Sequence, residues 1–488
     1  MNERASSLMY AIRGPVILKY AAQLILVQAG LVALPALVAL LYQEYGLSLR
    51  FGMVAVTLAA LARPFVRWSV PAHIQVNEAL TVTVIAFLVG AVSLVYPFMG
   101  AGLPFLDALF EAVSGITTTG LTTLSEVEDK PKGFLFARSW MQWYGGLGFV
   151  VLVIALLMGV QPANRRLLGQ ELERENAIMD IHSHARQVTQ VYLILTLIPM
   201  ALLYLMGVDG LTAVVHVLSA VSTGGFSNFN DSLAGLNSLP AEFVVSLVVV
   251  SGAISLPLYY RFYRHGLSRS MELDETLGLM ACLFFAGVML MLSMHIKEGM
   301  DWDIAALQGA MLAMSAQTTT GFSSLDITRL DAIAKVVMII AMATGGAVGS
   351  TAGGLKILRV LILLKLMHYA VQKPAMPDHS VVKPRLAGKT IAAEEINGVL
   401  TLLGWGLALM VGSWLPFVAM GYHPLDSLFE VVSALATTGL SSGITRAELQ
   451  PALKLILCFD MLAGRLEIVA LLVFLYPKTW FGRRVREL

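Results

Sequence analysis

The chain has 488 residues, of which 57% are hydrophobic and 13% are charged, and its formal net charge is +1. An average soluble domain carries roughly 25% charged residues, so this composition excludes an ordinary soluble protein. The near-neutral charge gives no indication of nucleic-acid binding. Two cysteines, Cys282 and Cys458, lie in apolar segments without CxxC spacing, which disfavours a disulfide framework or a zinc site.

Apolar runs close to the length of about 20 residues that crosses a bilayer recur along the whole chain. Only helices or closed barrels satisfy their backbone groups in lipid, and these runs lack the alternation of barrel strands. The sequence therefore predicts an all-α integral membrane protein. The first two spans are expected near 16–42 and 48–65, as a pair of transmembrane helices within 1–70, and the first apolar run is too long for a signal peptide.

Four short stretches of the remaining chain align with one another without a gap, and the first and last also match upstream, over 106–114 and 425–433. A match of this length indicates an inherited repeat. The four stretches read Ser114-Gly-Ile-Thr-Thr-Thr-Gly-Leu121, Ser219-Ala-Val-Ser-Thr-Gly-Gly-Phe226, Ser315-Ala-Gln-Thr-Thr-Thr-Gly-Phe322 and Ser433-Ala-Leu-Ala-Thr-Thr-Gly-Leu440.

Each copy follows a long apolar span and a stretch of about ten residues that is too short to cross a membrane, and a second span comes after it. This order predicts a helix, a re-entrant pore helix and a second helix in every repeat. Four such units, related by pseudo-fourfold symmetry around one ion pore, follow the two N-terminal helices and bring the total to about ten spans. The repeats are expected at 75–165, 187–265, 272–372 and 393–480.

Lysines and arginines are concentrated in one set of connecting segments, including 161–187, 356–389 and 477–488. The positive-inside rule places these segments and both termini in the cytoplasm, so that all four motifs open to the outside. The stretch 371–392, which is rich in proline and basic residues, is expected to be a cytoplasmic linker facing a partner.

The repeated motif has the composition of an ion filter, because several copies of one loop around an axis can supply rings of backbone carbonyls. Such a loop needs a residue with positive φ, and one glycine per copy meets that need. The filter glycines are Gly120, Gly225, Gly321 and Gly439. The residues that precede them, and that offer the coordinating carbonyls, are Thr118, Thr119, Thr223, Gly224, Thr319, Thr320, Thr437 and Thr438.

The residues one position further in suggest an incomplete lower ring of hydroxyls, since Thr117, Ser222 and Thr318 offer a hydroxyl and Ala436 does not. The pore helices would aim their negative C-terminal ends at the pore and favour cations. The first-turn acids Asp107 and Asp426 are expected to cap two of these helices. The alternative is that the small residues only let helices pack closely, and the fourfold repetition favours the filter.

These features resemble the Trk/Ktr/HKT superfamily of potassium transporters, in which one chain carries four helix–pore-loop–helix units. The Trk-type (TrkH/TrkG-like) bacterial subunit is the most similar branch, on the two extra N-terminal helices, on the stretch from Gly345 to Lys356, and on Gly464-Arg-Leu-Glu467 followed by Pro477-Lys-Thr-Trp480. The resemblance implies transport of potassium across the bacterial cytoplasmic membrane, without an organic cofactor or enzymatic activity. It also implies a homodimer and a cytosolic, nucleotide-binding TrkA-like regulatory subunit.

The loops have one filter glycine each, unlike the Thr-Val-Gly-Tyr-Gly pattern of potassium channels, so discrimination against sodium is expected to be less strict. Plant relatives with serine at the first filter glycine transport sodium, and the resemblance therefore makes Gly120 favour potassium. A proton- or sodium-coupled symporter remains the alternative, because discontinuous helices are typical of carriers. An intramembrane serine hydrolase is disfavoured by the absence of a Gly-x-Ser-x-Gly motif.

The segment Gly345–Gly354 contains five glycines in ten residues and interrupts the second helix of the third repeat. It is expected to be a mobile gating loop beneath the filter, with a packing kink as the alternative. Arg465 lies near the middle of the last span, where a cation needs partners. It is expected to bond carbonyls of this loop, or else to pair with Asp460 or Glu467. The gate comprises Gly345, Gly346, Gly349, Gly353, Gly354, Lys356 and Arg465.

Overall fold

A computed structural model describes residues 11–70, 74–159, 170–266, 270–375, 384–386 and 389–481. Within these ranges the fold is helical, as predicted, apart from two-residue strands in the 371–392 linker, where Arg385 pairs with Thr390. Parts of that linker, and the predicted end of the first repeat near residue 165, lie outside the described residues. The strands are β1 (Arg385–Leu386) and β2 (Lys389–Thr390).

After the N-terminal pair, the order of a long helix, a helix too short to span a membrane and a further helix occurs four times along the chain. Short 3₁₀ turns at Ser232–Leu236, Ile327–Arg329 and Lys373–Ala375 complete the described elements. The helices are α1 (Gly14–Leu41), α2 (Tyr45–Val66), α3 (Val76–Gly100), α4 (Phe105–Ile116), α5 (Lys132–Gly159), α6 (Gln170–Leu205), α7 (Gly210–Val221), α8 (Leu239–Ala253), α9 (Leu256–His265), α10 (Met271–Glu298), α11 (Trp302–Gln317), α12 (Ala332–Thr344), α13 (Ile357–Gln372), α14 (Ala393–Ala419), α15 (Pro424–Leu435), α16 (Pro451–Arg465), α17 (Val469–Leu475) and α18 (Pro477–Phe481).

Six of the described helices are long and apolar enough to cross a membrane, and the bent pair α8 and α9 makes a seventh candidate. The chain is therefore a multi-pass membrane protein. The short helices α4, α7, α11 and α15, here called the pore helices, have 12 to 16 residues and cannot span a bilayer. The helix that follows each pore helix, namely α5, α8, α12 or α16, is here called the inner helix.

The N-terminal pair α1 and α2 packs against itself and against α3 at the edge of the first repeat. Glu44, between the two helices, accepts backbone hydrogen bonds from Lys132 (2.6 Å) and Gly133 (2.9 Å). These are the first residues of α5, where a carboxylate satisfies free N–H groups and complements the helix dipole. The extra helices are thus tied to the inner helix of the first repeat.

Three of the four inner helices are broken, whereas the sequence predicted a break only in the third. Helix α8 ends at Ala253, and α9 continues at an angle of 86°. Helix α12 stops at Thr344 before the glycine-rich loop, and α16 stops at Arg465. After α16 the chain passes through Glu467 and Ile468, whose φ angles of 54° and 60° are unusual for side chains of this size. The breaks leave irregular backbone at membrane depth, which is tolerated only where protein or a cavity surrounds it.

A second set of four equivalent glycines lies on or just after the inner helices. Each stands thirteen residues after the first residue of its inner helix. A Cβ at Gly145, Gly252 or Gly464 would lie 2.3, 2.7 or 2.0 Å from the carbonyl oxygen of the last residue of that repeat's pore helix. In the third repeat the last pore-helix residue, Gln317, donates to the carbonyl of Gly345 over 2.8 Å. Glycine therefore lets each inner helix touch the end of its pore helix.

Candidate functional site: a fourfold ion filter

All four pore helices end in the same hydrogen-bonded turn. In the first repeat, Thr119 N–H donates to Ser114 O over 2.9 Å and Thr118 N–H donates to Gly115 O over 3.0 Å. The corresponding pairs in the other three repeats lie between 2.7 and 3.2 Å. This is a Schellman motif, which usually places glycine in the left-handed conformation just after the helix. The repeats are therefore equivalent at the level of single hydrogen bonds.

Here threonine occupies the left-handed position that glycine usually takes. A β-branched residue at positive φ costs on the order of 1–3 kcal/mol and persists only where its surroundings hold it. The sequence predicted positive φ at the filter glycines, and they have it, but no residue type signalled it at the threonines. The φ angles are 55° at Thr118, 50° at Thr223, 54° at Thr319 and 50° at Thr437.

The filter glycines bring the four loops together in a closed ring. A Cβ built on each glycine would collide with a backbone carbonyl oxygen of the following repeat, and the fourth repeat meets the first. The four loops therefore surround one axis in chain order, with pseudo-fourfold symmetry. The Cβ-to-oxygen distances are 2.1 Å from Gly120 to Gly224, 2.0 Å from Gly225 to Thr320, 2.2 Å from Gly321 to Thr438, and 2.1 Å from Gly439 to Thr119.

The hydroxyls that were expected to form a lower ring are turned onto their own helices. Thr117, Ser222 and Thr318 each donate to the carbonyl four residues earlier, over 2.7, 2.8 and 2.6 Å. The next position differs, because the buried Oγ1 atoms of Thr118 and Thr437 have no hydrogen-bond partner among the described residues. Two of the four strained threonines thus keep a hydroxyl without a partner in the described structure, and so does Thr438 in the fourth loop.

A polar residue near the middle of the pore helix anchors the chain beyond the filter in three repeats. Glu111 accepts a hydrogen bond from Thr122 Oγ1 over 2.5 Å, and Glu430 accepts one from Ser441 Oγ over 2.6 Å. At the equivalent position in the second repeat, Nε2 of His216 lies 3.0 Å from Ser227 Oγ. The two buried glutamates were not singled out from the sequence, although acids in apolar pore helices were a visible signal.

The expectation that Asp107 and Asp426 cap pore helices is wrong. The N-cap residues of these helices are Pro104 and His423, and no side chain caps either helix. Both aspartates lie within the first turn, where they still complement the helix dipole. In the second repeat Asp209 does cap its pore helix, and its carboxylate accepts two backbone N–H bonds.

The two first-turn aspartates instead form ion pairs between neighbouring repeats. Asp107 of the first repeat lies 2.5 Å from Lys454 Nζ on the inner helix of the fourth. Asp426 of the fourth repeat lies 2.8 Å from Lys335 Nζ on the inner helix of the third. Both lysines are buried, so each carboxylate supplies a counter-charge that its lysine needs.

The glycine-rich loop lies directly against the inner end of the filter. Gly353 N–H donates to Thr319 Oγ1 over 2.6 Å, and a Cβ at Gly353 would lie 2.1 Å from the carbonyl oxygen of Ala436. Thr351 Oγ1 lies 2.9 Å from the carbonyl oxygens of both Val221 and Gly252. The loop therefore contacts the second, third and fourth repeats at once.

Other residues of the predicted gate shape the loop itself. Gly345, Gly349 and Gly354 have φ angles of 69°, 74° and 73°. The carbonyl of Gly346 accepts the backbone N–H of the first residue of α13 over 2.9 Å. Lys356 is buried, has positive φ, and donates through Nζ to the carbonyl of Ala352. The glycines thus permit a tight turn that side chains would not allow.

Arg465 bonds the loop, as one of the two sequence-based alternatives expected. Its Nη1 lies 2.9 Å from the carbonyl oxygen of Thr351, and its Nη2 lies 3.0 and 3.2 Å from those of Gly145 and Gly146. Arg465 is 2% exposed. Its charge is therefore held beneath the filter by backbone dipoles.

The two acids considered as alternative partners of Arg465 have bonds elsewhere. Asp460 accepts a hydrogen bond from Ser413 Oγ over 2.7 Å, and Glu467 pairs with Arg359 over 2.5 Å. These contacts join the inner helix of the fourth repeat to α14 and the region below the filter to α13.

Comparison with known proteins agrees with this architecture. A family model described as TrkH, cation transport protein, matches residues 50–480. The chain belongs to the TrkH family. The Trk system potassium uptake protein TrkI of Halomonas elongata is 30% identical over 95% of this chain and 96% of its own length. The Trk system potassium uptake protein TrkH of Escherichia coli (strain K12) is 26% identical over 94% of this chain and 97% of its own length.

The fold of this TrkH-family chain also matches a solved structure. The crystal structure of the potassium transporter TrkH from Vibrio parahaemolyticus superimposes with a TM-score of 0.84. The match covers 96% of this chain and 100% of the other, at 22% sequence identity. Since the relatives are transporters, the chain belongs to a family of transporters of the Trk potassium uptake type.

Proposed function

We propose that this protein takes up potassium across the cytoplasmic membrane through the ring of four loops. The observation that carries the proposal is the closed set of contacts between each filter glycine and a carbonyl oxygen of the next repeat. Carbonyl oxygens from four sides of one axis can replace the water ligands of a dehydrated ion. The relatives TrkI and TrkH are potassium uptake proteins, which supports potassium as the ion.

The electrostatics of the loops support a cation. Four pore helices direct their C-terminal ends, which carry partial negative charge, toward the ring. The buried hydroxyls of Thr118 and Thr437 lie at its inner end. In this proposal backbone carbonyls coordinate potassium along the loops, and Thr118 and Thr437 add hydroxyl ligands where the ion leaves toward the cytoplasm.

The glycine-rich loop and Arg465 act as the gate in this proposal. The loop fills the space beneath the filter through Gly353, and Arg465 adds a buried positive charge at the same level. A potassium ion cannot pass a blocked, positively charged segment, so the arrangement corresponds to a closed pathway. Conduction then requires the loop to move and its bonds to Thr319 and Arg465 to break.

Partners and orientation complete the proposal. The basic segments and both termini face the cytoplasm, where the chain works as a homodimer with a TrkA-like regulatory subunit that binds nucleotides. The relatives' names, which assign them to a Trk system, support the existence of further components. Co-purification of two copies of this chain with such a subunit tests both contacts.

A proton- or sodium-coupled potassium symporter is the alternative function. Four loops that meet in one ring must all point the same way, which supports a gated channel-like path over inverted repeats. Single-channel currents that reverse at the potassium equilibrium potential support the gated path. A reversal potential that follows the proton or sodium gradient establishes the symporter.

The main test uses a bacterium that lacks its own potassium uptake systems. Expression of the chain with its regulatory subunit is expected to restore growth at low potassium and to support rubidium uptake well above sodium uptake. In Gly120→Ser the new Cβ would lie 2.1 Å from Gly224 O at a φ of 88°, so rubidium uptake is expected to fall and its preference over sodium to be lost.

Gly102→Ser is the matched control, because Gly102 has a φ of 87° and a Cβ there meets nothing within 4 Å. Gly102→Ser has the same backbone strain as Gly120→Ser but no collision with a neighbouring loop. Its rubidium uptake is expected to stay close to that of the wild type. Failure of the wild-type protein to restore growth, with both subunits present in the membrane, contradicts the proposed function.

A further inference from the structure

The second filter loop differs from the others because Gly224 replaces the threonine found at this position in the first, third and fourth copies. The space of the missing side chain is filled by Gln142 from the inner helix of the first repeat. A Cβ at Gly224 would lie 2.4 Å from Cδ and 2.5 Å from Oε1 of Gln142. A threonine at 224 therefore requires the amide group of Gln142 to leave its present position.

Gln142 also holds the backbone of this loop at two points. Its Nε2 donates to the carbonyl oxygen of Gly224 over 2.6 Å, and its Oε1 accepts the backbone N–H of Phe226 over 3.2 Å. The side chain is fully buried. The carbonyl of Gly224 is the one that faces Gly120 in the ring, so Gln142 bonds a filter oxygen from behind.

The other repeats support this position differently. In the first and third, the hydroxyls of Thr119 and Thr320 lie 2.8 Å from those of Thr117 and Thr318. Gln142 stands ten positions after the first residue of α5. The residues at the same position of the other three inner helices are apolar. They are Val249, Met342 and Met461, and all three are buried.

We propose that Gln142 is a positioning residue of the filter, which fixes the carbonyl of Gly224 and thereby contributes to the preference for potassium over sodium. The inference rests on the proposed filter function. A carbonyl oxygen has two lone pairs, so Gly224 O can accept the amide bond and still face an ion. Held from behind, this oxygen cannot move inward to contact the smaller sodium ion, which is one way in which a carbonyl filter discriminates.

The experiment compares rubidium and sodium uptake into proteoliposomes by purified variants at matched protein content. Gln142→Met keeps the shape of the side chain and removes the donor, and its rubidium-to-sodium ratio is expected to fall about three- to tenfold, the effect of one hydrogen bond. Gln28→Met is the control, because Gln28 Nε2 bonds the helix carbonyl of Ala86 over 2.7 Å. Its ratio is expected to be that of the wild type.

A pair of substitutions tests whether Gln142 takes the place of the threonine that the second loop lacks. Gly224→Thr alone displaces the amide of Gln142 from its bonds to the loop and is expected to lower rubidium uptake. Adding Gln142→Val reproduces the combination of a threonine with the valine found at the equivalent position of α8, and is expected to restore rubidium uptake. A purely structural role for Gln142 predicts lower protein yield with an unchanged ion ratio.

The two proposals fail in different ways. If the wild-type protein shows no preference between rubidium and sodium, the filter function is wrong. If the wild type discriminates and Gln142→Met discriminates equally well, or if the double variant transports no better than Gly224→Thr, the filter stands and the role of Gln142 is overturned.

Discussion

Arg465 Nη1 lies 2.9 Å from the carbonyl oxygen of Thr351, and this bond joins the inner helix of the fourth repeat to the glycine-rich loop of the third. The same guanidinium reaches Gly145 in the first repeat, while the hydroxyl of Thr351 reaches Val221 in the second. Two side chains thus connect all four repeats beneath the filter. The loop cannot leave this position without losing bonds to several of them.

Replacing Arg465 by alanine is expected to increase ion flux. The substitution removes a buried positive charge and its bonds to backbone carbonyls, each worth about 1.5–3 kcal/mol for a charged donor. The closed position of the loop loses at least the free energy of one such bond. Rubidium flux into proteoliposomes is therefore expected to rise about tenfold or more. Unchanged flux per folded protein, with reduced yield, contradicts the gating role.

Arg465→Lys separates the charge from the bonds. Lysine keeps the positive charge beneath the filter and cannot reproduce the guanidinium fork that reaches both Thr351 and Gly145. If the positive charge blocks the ion, the flux of the lysine variant stays as low as that of the wild type. If the bonds hold the loop closed, its flux approaches that of the alanine variant. Arg13→Ala is the control. It breaks an ion pair with Glu78 that involves neither the loop nor the filter, and it should leave flux unchanged.

Thr351→Val is expected to loosen the loop without changing its shape. Valine lacks the hydroxyl whose one proton is shared between the carbonyls of Val221 and Gly252, and the loss of about 0.5–1.5 kcal/mol should favour the displaced loop. Rubidium flux is expected to rise severalfold, and amide hydrogen exchange over 345–354 should become faster. Thr351→Ser keeps the hydroxyl and should behave like the wild type, and a valine variant that does the same contradicts the prediction.

The ring of four loops could be predicted from the sequence because it needs the same glycine in each loop. The repeated motif therefore identified Gly120 and its three counterparts, which form the ring. The contact of Arg465 with the loop was one of two alternatives that the sequence offered, since a cation at that depth needs partners. The strained conformation of Thr118 was not predictable, because no residue type indicates a β-branched side chain at positive φ.

Long-range contacts account for the remaining errors. The spacing of Asp107 from the motif suggested an N-cap, and its true partner, Lys454, is 347 residues away along the chain. The break after Ala253 lies inside an apolar run that looks continuous, with only Pro257 to indicate a new helix start. The hydroxyls of residues such as Thr117 were expected to face the pore, whereas they donate hydrogen bonds to carbonyls of their own helix.

Gly145→Ala is expected to disrupt the contact between an inner helix and its pore helix. The new Cβ would lie 2.3 Å from the carbonyl oxygen of Ile116, so α5 must move away from the filter. Gly148, one turn later on the same helix, meets nothing within 4 Å, and Gly148→Ala should be neutral or stabilise by up to about 1 kcal/mol. Thermal unfolding in detergent measures both variants, and equal midpoints contradict the prediction.

Lys454→Met is expected to destabilise the junction of the fourth and first repeats. It leaves the carboxylate of Asp107 buried without its counter-charge, which typically costs about 3–5 kcal/mol. The double variant Asp107→Asn/Lys454→Met removes both charges and should recover most of the loss. A denaturation midpoint for the double variant that is as low as that of the single variant excludes this account of the pair.

Ala436→Ser is expected to complete the support of the fourth filter loop. In the first repeat the hydroxyl of Thr117 pairs with that of Thr119, but alanine at 436 leaves the buried Oγ1 of Thr438 without a hydrogen-bond partner in the described structure. Ser222 shows that serine fits at the equivalent position of the second loop. The added bond should stabilise the filter by about 0.5–1.5 kcal/mol and raise the unfolding midpoint in potassium. A lower midpoint would mean that the hydroxyl disturbs the loop at Gly353, which contacts the carbonyl of Ala436.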